Sequence, residues 1–228
     1  MKRLIATDFD GTFCRLGRVS GADKRAVRKW RASGRYFGFV TGRGMDFFRT
    51  AEELGVEADY FLLYNGALLA GPDGTVYKEY LIPRETFAQL EAFFRTYPDA
   101  LSFDKADAAP FYHQYYARFE NPQRALSVAG AVNAAFGDRV TAFVNGPHVN
   151  IGRKGSGKAQ GVFDALAHFG LPADAAAVFG DDYNDIEMIT AHNGWAVVNA
   201  RTEVKEKAAH ICASVGSAAL ALLRETQE

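Results

Sequence analysis

The sequence predicts an α/β fold, a doubly wound parallel sheet interrupted by an inserted α+β module. Two observations lead to this prediction. Both ends of the chain alternate short apolar strands with helices, which is typical of a parallel sheet. The middle instead carries hairpin signals and aromatic runs, which favour antiparallel strands. With 228 residues, 48% of them hydrophobic, the chain can form one large domain or two small ones.

The N-terminal part begins with a short apolar run, residues 4–6, that predicts a buried strand. Ser20 as N-cap and Gly34 as C′ residue delimit a helix over 21–33. Apolar residues at helical spacing predict a second helix over 45–54, which Gly55 ends. The apolar runs at 36–40 and 60–63 are the second and third strands.

The middle part begins with a predicted hairpin, residues 67–78, whose turn is Pro72-Asp73-Gly74. Pro83 opens a helix to about residue 97, and Asn121-Pro122 combines an N-cap with proline at N1 for a helix ending at Gly137. The remaining apolar and aromatic segments predict four strands, at 101–103, 111–119, 140–144 and 148–151.

The alternation of strands and helices returns after Gly157. Helices are predicted at 157–169, 184–191 and 218–224, and strands at 176–179 and 195–198. We therefore expect a core domain made of residues 1–80 and 153–228, with residues 81–152 inserted as a second domain.

Composition argues against several classes of partner. The formal net charge is -1, with 26 basic and 27 acidic residues, so no charge excess favours nucleic acid or an anionic membrane. The apolar run at 4–6 is too short for a secretory signal, and no later run reaches the ~18 residues of a membrane span. Cys14 and Cys212 have no metal or redox spacing, which favours a reducing cytoplasm. We expect a cytoplasmic monomer or weak homodimer.

Polar motifs follow the predicted strands. They are Asp8-Phe9-Asp10-Gly11-Thr12, Thr41-Gly42-Arg43 and the acidic loop Gly180–Asp185, with Lys158 at the start of a helix. Alone, each could be an ordinary solvated turn. Ligands of open α/β sheets bind at the carboxyl ends of the strands, however, so we expect these groups to converge. Converging carboxylates favour a divalent cation with oxygen ligands, hence Mg²⁺.

This ordered set of motifs resembles the haloacid dehalogenase superfamily of aspartate-dependent phosphohydrolases, and within it the Cof-like branch with a type IIB cap. Tyr64-Asn65-Gly66-Ala67 is similar to the Asn-Gly-Ala loop of that branch. The resemblance covers nearly the whole chain. It implies a Rossmann-like core, and it explains the insertion as the cap, which this branch places between the second and third motifs.

The resemblance also implies a role for each motif. Asp8 would be the nucleophile that forms an aspartyl-phosphate, and Asp10 the general acid and base. Thr41 and Lys158 would bind the transferring phosphoryl oxygens. The remaining implied residues are the Mg²⁺ ligands, namely the side chains of Asp8 and Asp181 and the carbonyl of Asp10, with Asp185 and Asn184 orienting a metal-bound water and Lys158.

Two positions depart from the family pattern. The third motif reads Lys154-Gly155-Ser156-Gly157-Lys158, so Lys154 is a rival for the catalytic lysine, although the spacing favours Lys158. Asp182 stands where glycine is common, and it could be a further neighbour of the metal or a solvated turn residue.

Three alternative functions remain open at this point. Residues 152–158 match a P-loop, but Ala159 replaces the hydroxyl that would bind Mg²⁺, and a P-loop leaves Asp8 unexplained. A phosphoacceptor receiver module would share the Asp, Thr and Lys but needs only half the chain. A sugar phosphomutase of the same fold would return the phosphoryl group to the substrate.

The resemblance implies a small phosphorylated metabolite as substrate, such as a sugar phosphate. An insert of about 70 residues is short for this branch, which favours its shorter relatives, whose substrates include phosphoglycolate. Gly42, Arg43 and Asn65 on the core loops, and Asn184 beside the acidic loop, are candidate substrate-binding residues. In the insert, the candidates to recognise the leaving group are four polar residues in predicted strands, His113, Arg118, Asn145 and His148.

Overall fold

The computed structural model describes residues 1–105 and 112–225, without the side chains of residues 103–105. The strands are β1 (Leu4–Asp8), β2 (Tyr36–Val40), β3 (Tyr60–Leu63), β4 (Leu68–Ala70), β5 (Val76–Glu79), β6 (Ser102–Lys105), β7 (Gln114–Arg118), β8 (Val140–Asn145), β9 (His148–Arg153), β10 (Ala176–Gly180), β11 (Trp195–Val197) and β12 (His210–Cys212). The helices are α1 (Gly21–Ala32), α2 (Phe47–Glu53), α3 (Arg84–Phe94), α4 (Pro122–Phe136), α5 (Lys158–His168), α6 (Ile186–Ala191), α7 (Thr202–Lys207) and α8 (Val215–Arg224).

The chain divides into two compact units. The first consists of Met1–Lys78 with the chain from Lys158 onward, and the second is Glu79–Gly157. The second unit keeps residues 153–157, which the sequence places in the core, because β9 continues to Arg153 and the Lys154 N–H donates to the Arg139 carbonyl at 2.8 Å.

The first unit is built on an eight-stranded sheet in the order β12-β11-β10-β1-β2-β3-β4-β5. Six of these strands, from β12 to β3, pair in parallel, and β4 pairs antiparallel with β3. The predicted hairpin at 67–78 therefore extends the core sheet and makes it mixed at one edge. The predicted α/β fold class is confirmed.

Both faces of the central strands are buried, as expected of a doubly wound sheet. Leu4 and Ala6 of β1 pack with Val162 of α5 on one face. On the other face the rings of Phe37 and Phe39 of β2 form an aromatic cluster with residues that include Phe13. Alternation along each strand thus places apolar side chains in both layers.

The second unit is a four-stranded antiparallel sheet in the order β6-β7-β9-β8, with α3 and α4. Its own apolar core joins Leu90 and Phe94 of α3 and Val128 of α4 to Tyr115 and Ile151 of the sheet. Residue 111, at the start of a predicted strand, lies outside the described residues; β7 begins at Gln114.

Three features near the C-terminus differ from the prediction. The elements α7 and β12 were not predicted, and α8 begins at Val215 instead of residue 218. Ser214 caps α8 in a capping box with Ser217, which sets the earlier start.

Among the described residues, no helix is both long and apolar enough to cross a lipid bilayer.

Candidate active site

The polar motifs meet at the carboxyl ends of the parallel strands. Asp8 is the last residue of β1, Thr41 follows β2, and Asp181 follows β10. These three strands are neighbours in the sheet, in the order β10-β1-β2. Lys158, the first residue of α5, joins them at this edge. Sheet topology alone therefore brings together residues that are up to 173 positions apart.

Lys158 links two of the carboxylates. Its Nζ donates to Asp8 Oδ1 at 2.7 Å and to Asp185 Oδ1 at 2.6 Å, and its side chain is 2% exposed. Burial alone would lower the pKa of Lys158, but the charges of Asp185 and Asp8 outweigh it and raise that pKa. The ammonium therefore stays protonated. The other candidate, Lys154, is an exposed residue of the second unit.

Three carboxylates form a cluster. One oxygen each of Asp8, Asp181 and Asp185 lies within 4.8 Å of the others. Burial raises the pKa of Asp8 well above its usual value, against the opposing charge of Lys158. Burial also raises the pKa of Asp181 to about 6, despite the hydrogen bond that Thr12 Oγ1 donates to its Oδ1 at 2.5 Å. The cluster thus concentrates negative charge that a divalent cation would offset.

Asp185 organises the acidic loop. It is fully buried, and its Oδ2 accepts hydrogen bonds from the backbone N–H groups of Asp181 at 2.9 Å and Asp182 at 3.1 Å.

The side chain of Asp182 bonds to groups outside the three-carboxylate cluster. Its Oδ1 accepts from Tyr183 N at 2.7 Å and from Arg201 Nε at 2.6 Å. Asp182 is thus a turn cap paired with an arginine, and the cluster found among the described residues does not include it.

Asp10 is paired with Arg43. The guanidinium donates twice, from Nη2 to Asp10 Oδ1 at 2.6 Å and from Nε to Asp10 Oδ2 at 2.8 Å. This bonding raises the pKa of Arg43. The guanidinium also lies over the ring of Phe9, 5.2 Å from its centroid. The Asp10 carboxylate is 56% exposed and is not in the three-residue cluster; the family resemblance implies a metal contact only for its backbone carbonyl.

The two loops after β2 and β3 hold each other in place. Thr41 is buried, its Oγ1 accepts from Arg43 N at 3.2 Å, and its carbonyl accepts from Asn65 N at 2.8 Å. Asn65 has a left-handed backbone, with φ 55°. A Cβ at Gly42 would lie 3.2 Å from the Asn65 amide nitrogen, and Asn184 Nδ2 donates to Asn65 Oδ1 at 3.4 Å. Five of the predicted residues, Thr41, Gly42, Arg43, Asn65 and Asn184, are therefore neighbours.

Three of the candidates in the second unit share one face of its sheet. Arg118, His148 and Asn145 are directly opposite one another on β7, β9 and β8. Tyr116 is on the same face, and its hydroxyl is 2.7 Å from His148 Nδ1. Burial and the charge of Arg118 lower the pKa of His148. His113 differs: it is buried, and its Nε2 contacts Glu79 at 3.1 Å.

The P-loop alternative does not fit this geometry. Gly152 and Arg153 belong to the antiparallel strand β9, whereas a P-loop needs those positions in a loop that wraps phosphate. Lys158 is held by two carboxylates.

Sequence reasoning assigned no role to three residues that contact the site. Thr12 bonds Asp181, Asn199 Nδ2 donates to the Gly11 carbonyl at 2.7 Å, and Arg201 bonds Asp182. Asn199 and Arg201 come directly after β11, the next parallel strand beyond β10. Their position at a strand end is the signal that could have identified them.

Comparison with known proteins identifies the family. Residues 5–128 and 102–222 match the family model for haloacid dehalogenase-like hydrolases. No curated protein sequence matches the chain.

Solved structures share its fold. A phosphatase of the haloalkanoate superfamily from Bacteroides thetaiotaomicron superposes with a TM-score of 0.82 at 20% identity, covering 98% of this chain and 95% of that one. A haloacid dehalogenase-like hydrolase from B. subtilis gives 0.82 at 18% identity, covering 98% and 99%. A HAD/COF-like hydrolase from Plasmodium vivax gives 0.78 at 18% identity, covering 99% and 95%.

The predicted superfamily and its Cof-like branch are therefore confirmed. Because the family model spans both the N-terminal and the C-terminal motifs, the chain belongs to the haloacid dehalogenase-like hydrolases.

Proposed function

We propose that the protein is a Mg²⁺-dependent phosphomonoester hydrolase that forms an aspartyl-phosphate on Asp8. The observation that carries this proposal is the buried contact of Asp8 with Lys158, inside a cluster of three carboxylates at the strand ends. A phosphate dianion needs cationic partners, and a carboxylate nucleophile needs its own charge screened from that dianion.

The residues present fit a magnesium ion. Carboxylate oxygens are the hard ligands that Mg²⁺ prefers, and three of them are within 4.8 Å of one another. The side chains of Asp8 and Asp181 and the carbonyl of Asp10 would hold the ion, with Asp185 supporting the loop. When bound, Mg²⁺ neutralises charge on the phosphoryl oxygens.

The protein groups divide the chemistry between them. An Asp8 carboxylate oxygen attacks phosphorus, and the bond from phosphorus to the leaving alcohol breaks as Asp10 gives that alcohol a proton. Water then attacks the aspartyl-phosphate, Asp10 takes its proton, and inorganic phosphate leaves with Asp8 regenerated. Lys158 and Thr41 stabilise the equatorial oxygens, where charge accumulates.

We also propose that the substrate is a small phosphorylated metabolite, a sugar phosphate or a phosphoglycolate-like compound. In this proposal the second unit is the cap, and Arg118, Asn145 and His148 recognise the leaving group. These residues form one polar row on the face of the sheet opposite the apolar core. Gly42, Arg43, Asn65 and Asn184 would contact the substrate from the loops of the first unit.

The experiment compares wild type, Asp8→Asn, Asp10→Asn and Asp138→Asn on an aryl phosphate and a panel of metabolite phosphates. Asp138 is an exposed carboxylate outside the site and serves as the control. We expect Asp8→Asn and EDTA each to reduce turnover by a factor of about 10⁴ or more. Asp138→Asn should match wild type. Activity that survives EDTA or Asp8→Asn would contradict the mechanism, and conversion of a hexose 1-phosphate to its 6-phosphate would indicate a mutase.

A further inference from the structure

The loop after β11, residues 198–201, contacts both of the loops that carry the carboxylates. Asn199 Nδ2 donates to the Gly11 carbonyl at 2.7 Å. Two residues later, the Arg201 N–H donates to the Asp181 carbonyl at 3.0 Å, while its Nε bonds the Asp182 side chain. One short segment therefore fixes the backbone at the ends of β1 and β10.

The neighbours of Asn199 define which way its amide faces. Its Oδ1 is 3.5 Å from Arg15 Nη1, and the same nitrogen donates to the Ala213 carbonyl at 2.9 Å. An amide oxygen accepts and an amide nitrogen donates, so a flipped amide would place its oxygen against the Gly11 carbonyl and its nitrogen against the arginine. The Arg15 guanidinium thus favours the orientation in which the Asn199 amide nitrogen donates to the Gly11 carbonyl.

The backbone of Gly11 is packed against several residues of the candidate site. Its φ is +89°, its N–H donates to the Cys14 carbonyl at 2.9 Å, and a Cβ there would collide with the Asp181 carboxylate. Its neighbours in sequence are Asp10 and Thr12, and Thr12 bonds Asp181. A shift of the Gly11 peptide would therefore move Asp10 on one side and Asp181 on the other.

We propose that Asn199 is a positioning residue for phosphoryl transfer: by holding the Gly11 carbonyl, it fixes the Asp10 backbone and the Asp181 carboxylate for magnesium binding and proton transfer. The inference rests on the proposed function. Asn199 is itself exposed and lies outside the apolar core, so its contact adds alignment and little packing. Groups that orient metal ligands in this way typically contribute 10–100-fold to metal affinity or activity.

The test uses Asn199→Ala and Asn199→Asp in the full chain. Mg²⁺ affinity is measured by titration calorimetry, and kcat and KM are measured with an aryl phosphate. We expect both variants to bind Mg²⁺ about tenfold more weakly and to lose about tenfold in kcat, with KM nearly unchanged. Asn199→Asp should be the worse of the two, because its carboxylate faces the Gly11 carbonyl. The thermal midpoint should fall by only about 2–4 °C.

Val204→Ala is the matched control. Val204 is fully buried in the apolar cluster that also contains Ala200 of the same loop, so its truncation should lower the thermal midpoint without changing Mg²⁺ affinity or kcat. If the Asn199 variants behave like this control, the inference is overturned. If wild type hydrolyses no phosphomonoester, the proposed function fails while the Mg²⁺ titrations still decide the role of Asn199. A wild-type chain that binds no Mg²⁺ would overturn both.

Discussion

At the scale of single residues, Asp185 illustrates how one side chain can support several others. Its Oδ1 accepts from Lys158, and its Oδ2 accepts from the backbone of the acidic loop. With both oxygens engaged, the buried carboxylate is stabilised by three donors, and the lysine is aimed at Asp8. The motif shows that an acid is present at this position, but only the fold shows that it accepts from three donors.

The buried side chain of His192 predicts that the stability of the protein depends on pH. The ring is 4% exposed, it contacts the ring of Phe163 with centroids 4.3 Å apart, and its Nε2 is 3.4 Å from the Ala159 carbonyl. Burial lowers the pKa of His192 from 6.5, and the charge of Lys2 adds to this effect. The unfolded chain therefore binds a proton at this position more readily than the folded chain, so the free energy of unfolding should fall as the pH drops below 6.5.

The measurement is urea unfolding at about pH 7.5 and about pH 5.5, on either side of the histidine titration. Wild type should lose more stability between these values than His192→Gln, since the other titrating groups are common to both chains. Equal losses in the two chains would show that His192 does not carry the effect.

At the scale of elements, Asp23 joins the starts of two helices. From the first turn of α1, its Oδ1 accepts from Ser214 Oγ at 2.6 Å and from Gly216 N at 2.9 Å in the first turn of α8. Its Oδ2 accepts from Ser20 Oγ at 2.7 Å. A carboxylate near two helix N-termini satisfies free N–H groups and favours both helix dipoles.

Asp23→Ala should therefore destabilise the protein by about 3 kcal/mol, because it leaves the buried Gly216 N–H and the half-buried Ser214 hydroxyl without this acceptor. Chemical denaturation of Asp23→Ala beside the exposed-site control Asp138→Asn measures the effect. A loss of less than about 1 kcal/mol would mean that the helix starts are satisfied without Asp23.

The same contact explains what the sequence could and could not predict. The strands and helices whose signals are local, such as α1 between Ser20 and Gly34, follow from apolar spacing and caps. Ser214 and Ser217 give α8 a local capping signal that apolar spacing alone misses. The acceptor that Asp23 supplies to Gly216, 193 positions away, and the three-residue strand β12 have no local signal of useful length. The site shows the same division. Ordered motifs indicate Asp8 and Lys158, whereas Asn199 reaches Gly11 only through the strand order.

At the scale of the whole molecule, an insertion separates the residues of the candidate site in sequence without separating them in space. Lys158 follows the inserted unit by one residue, and its ammonium bonds Asp8, 150 positions earlier. The pairing of β1 with β10 makes this possible, since the first strand of the chain lies beside one formed after the insertion. The sheet of the first unit therefore needs both ends of the chain.

The second unit has what it needs to fold by itself. Its sheet is complete within Glu79–Gly157, and both of its helices contribute to an apolar core formed from its own residues. We expect residues 79–157, expressed alone, to show helical and β circular dichroism and a cooperative thermal transition. Domains of this size are stable by only a few kcal/mol. Phe94→Ala, which removes about 3–5 kcal/mol of core packing at a fully buried position, should abolish that transition. A disordered spectrum for the wild-type fragment would show that its core depends on the remainder of the chain.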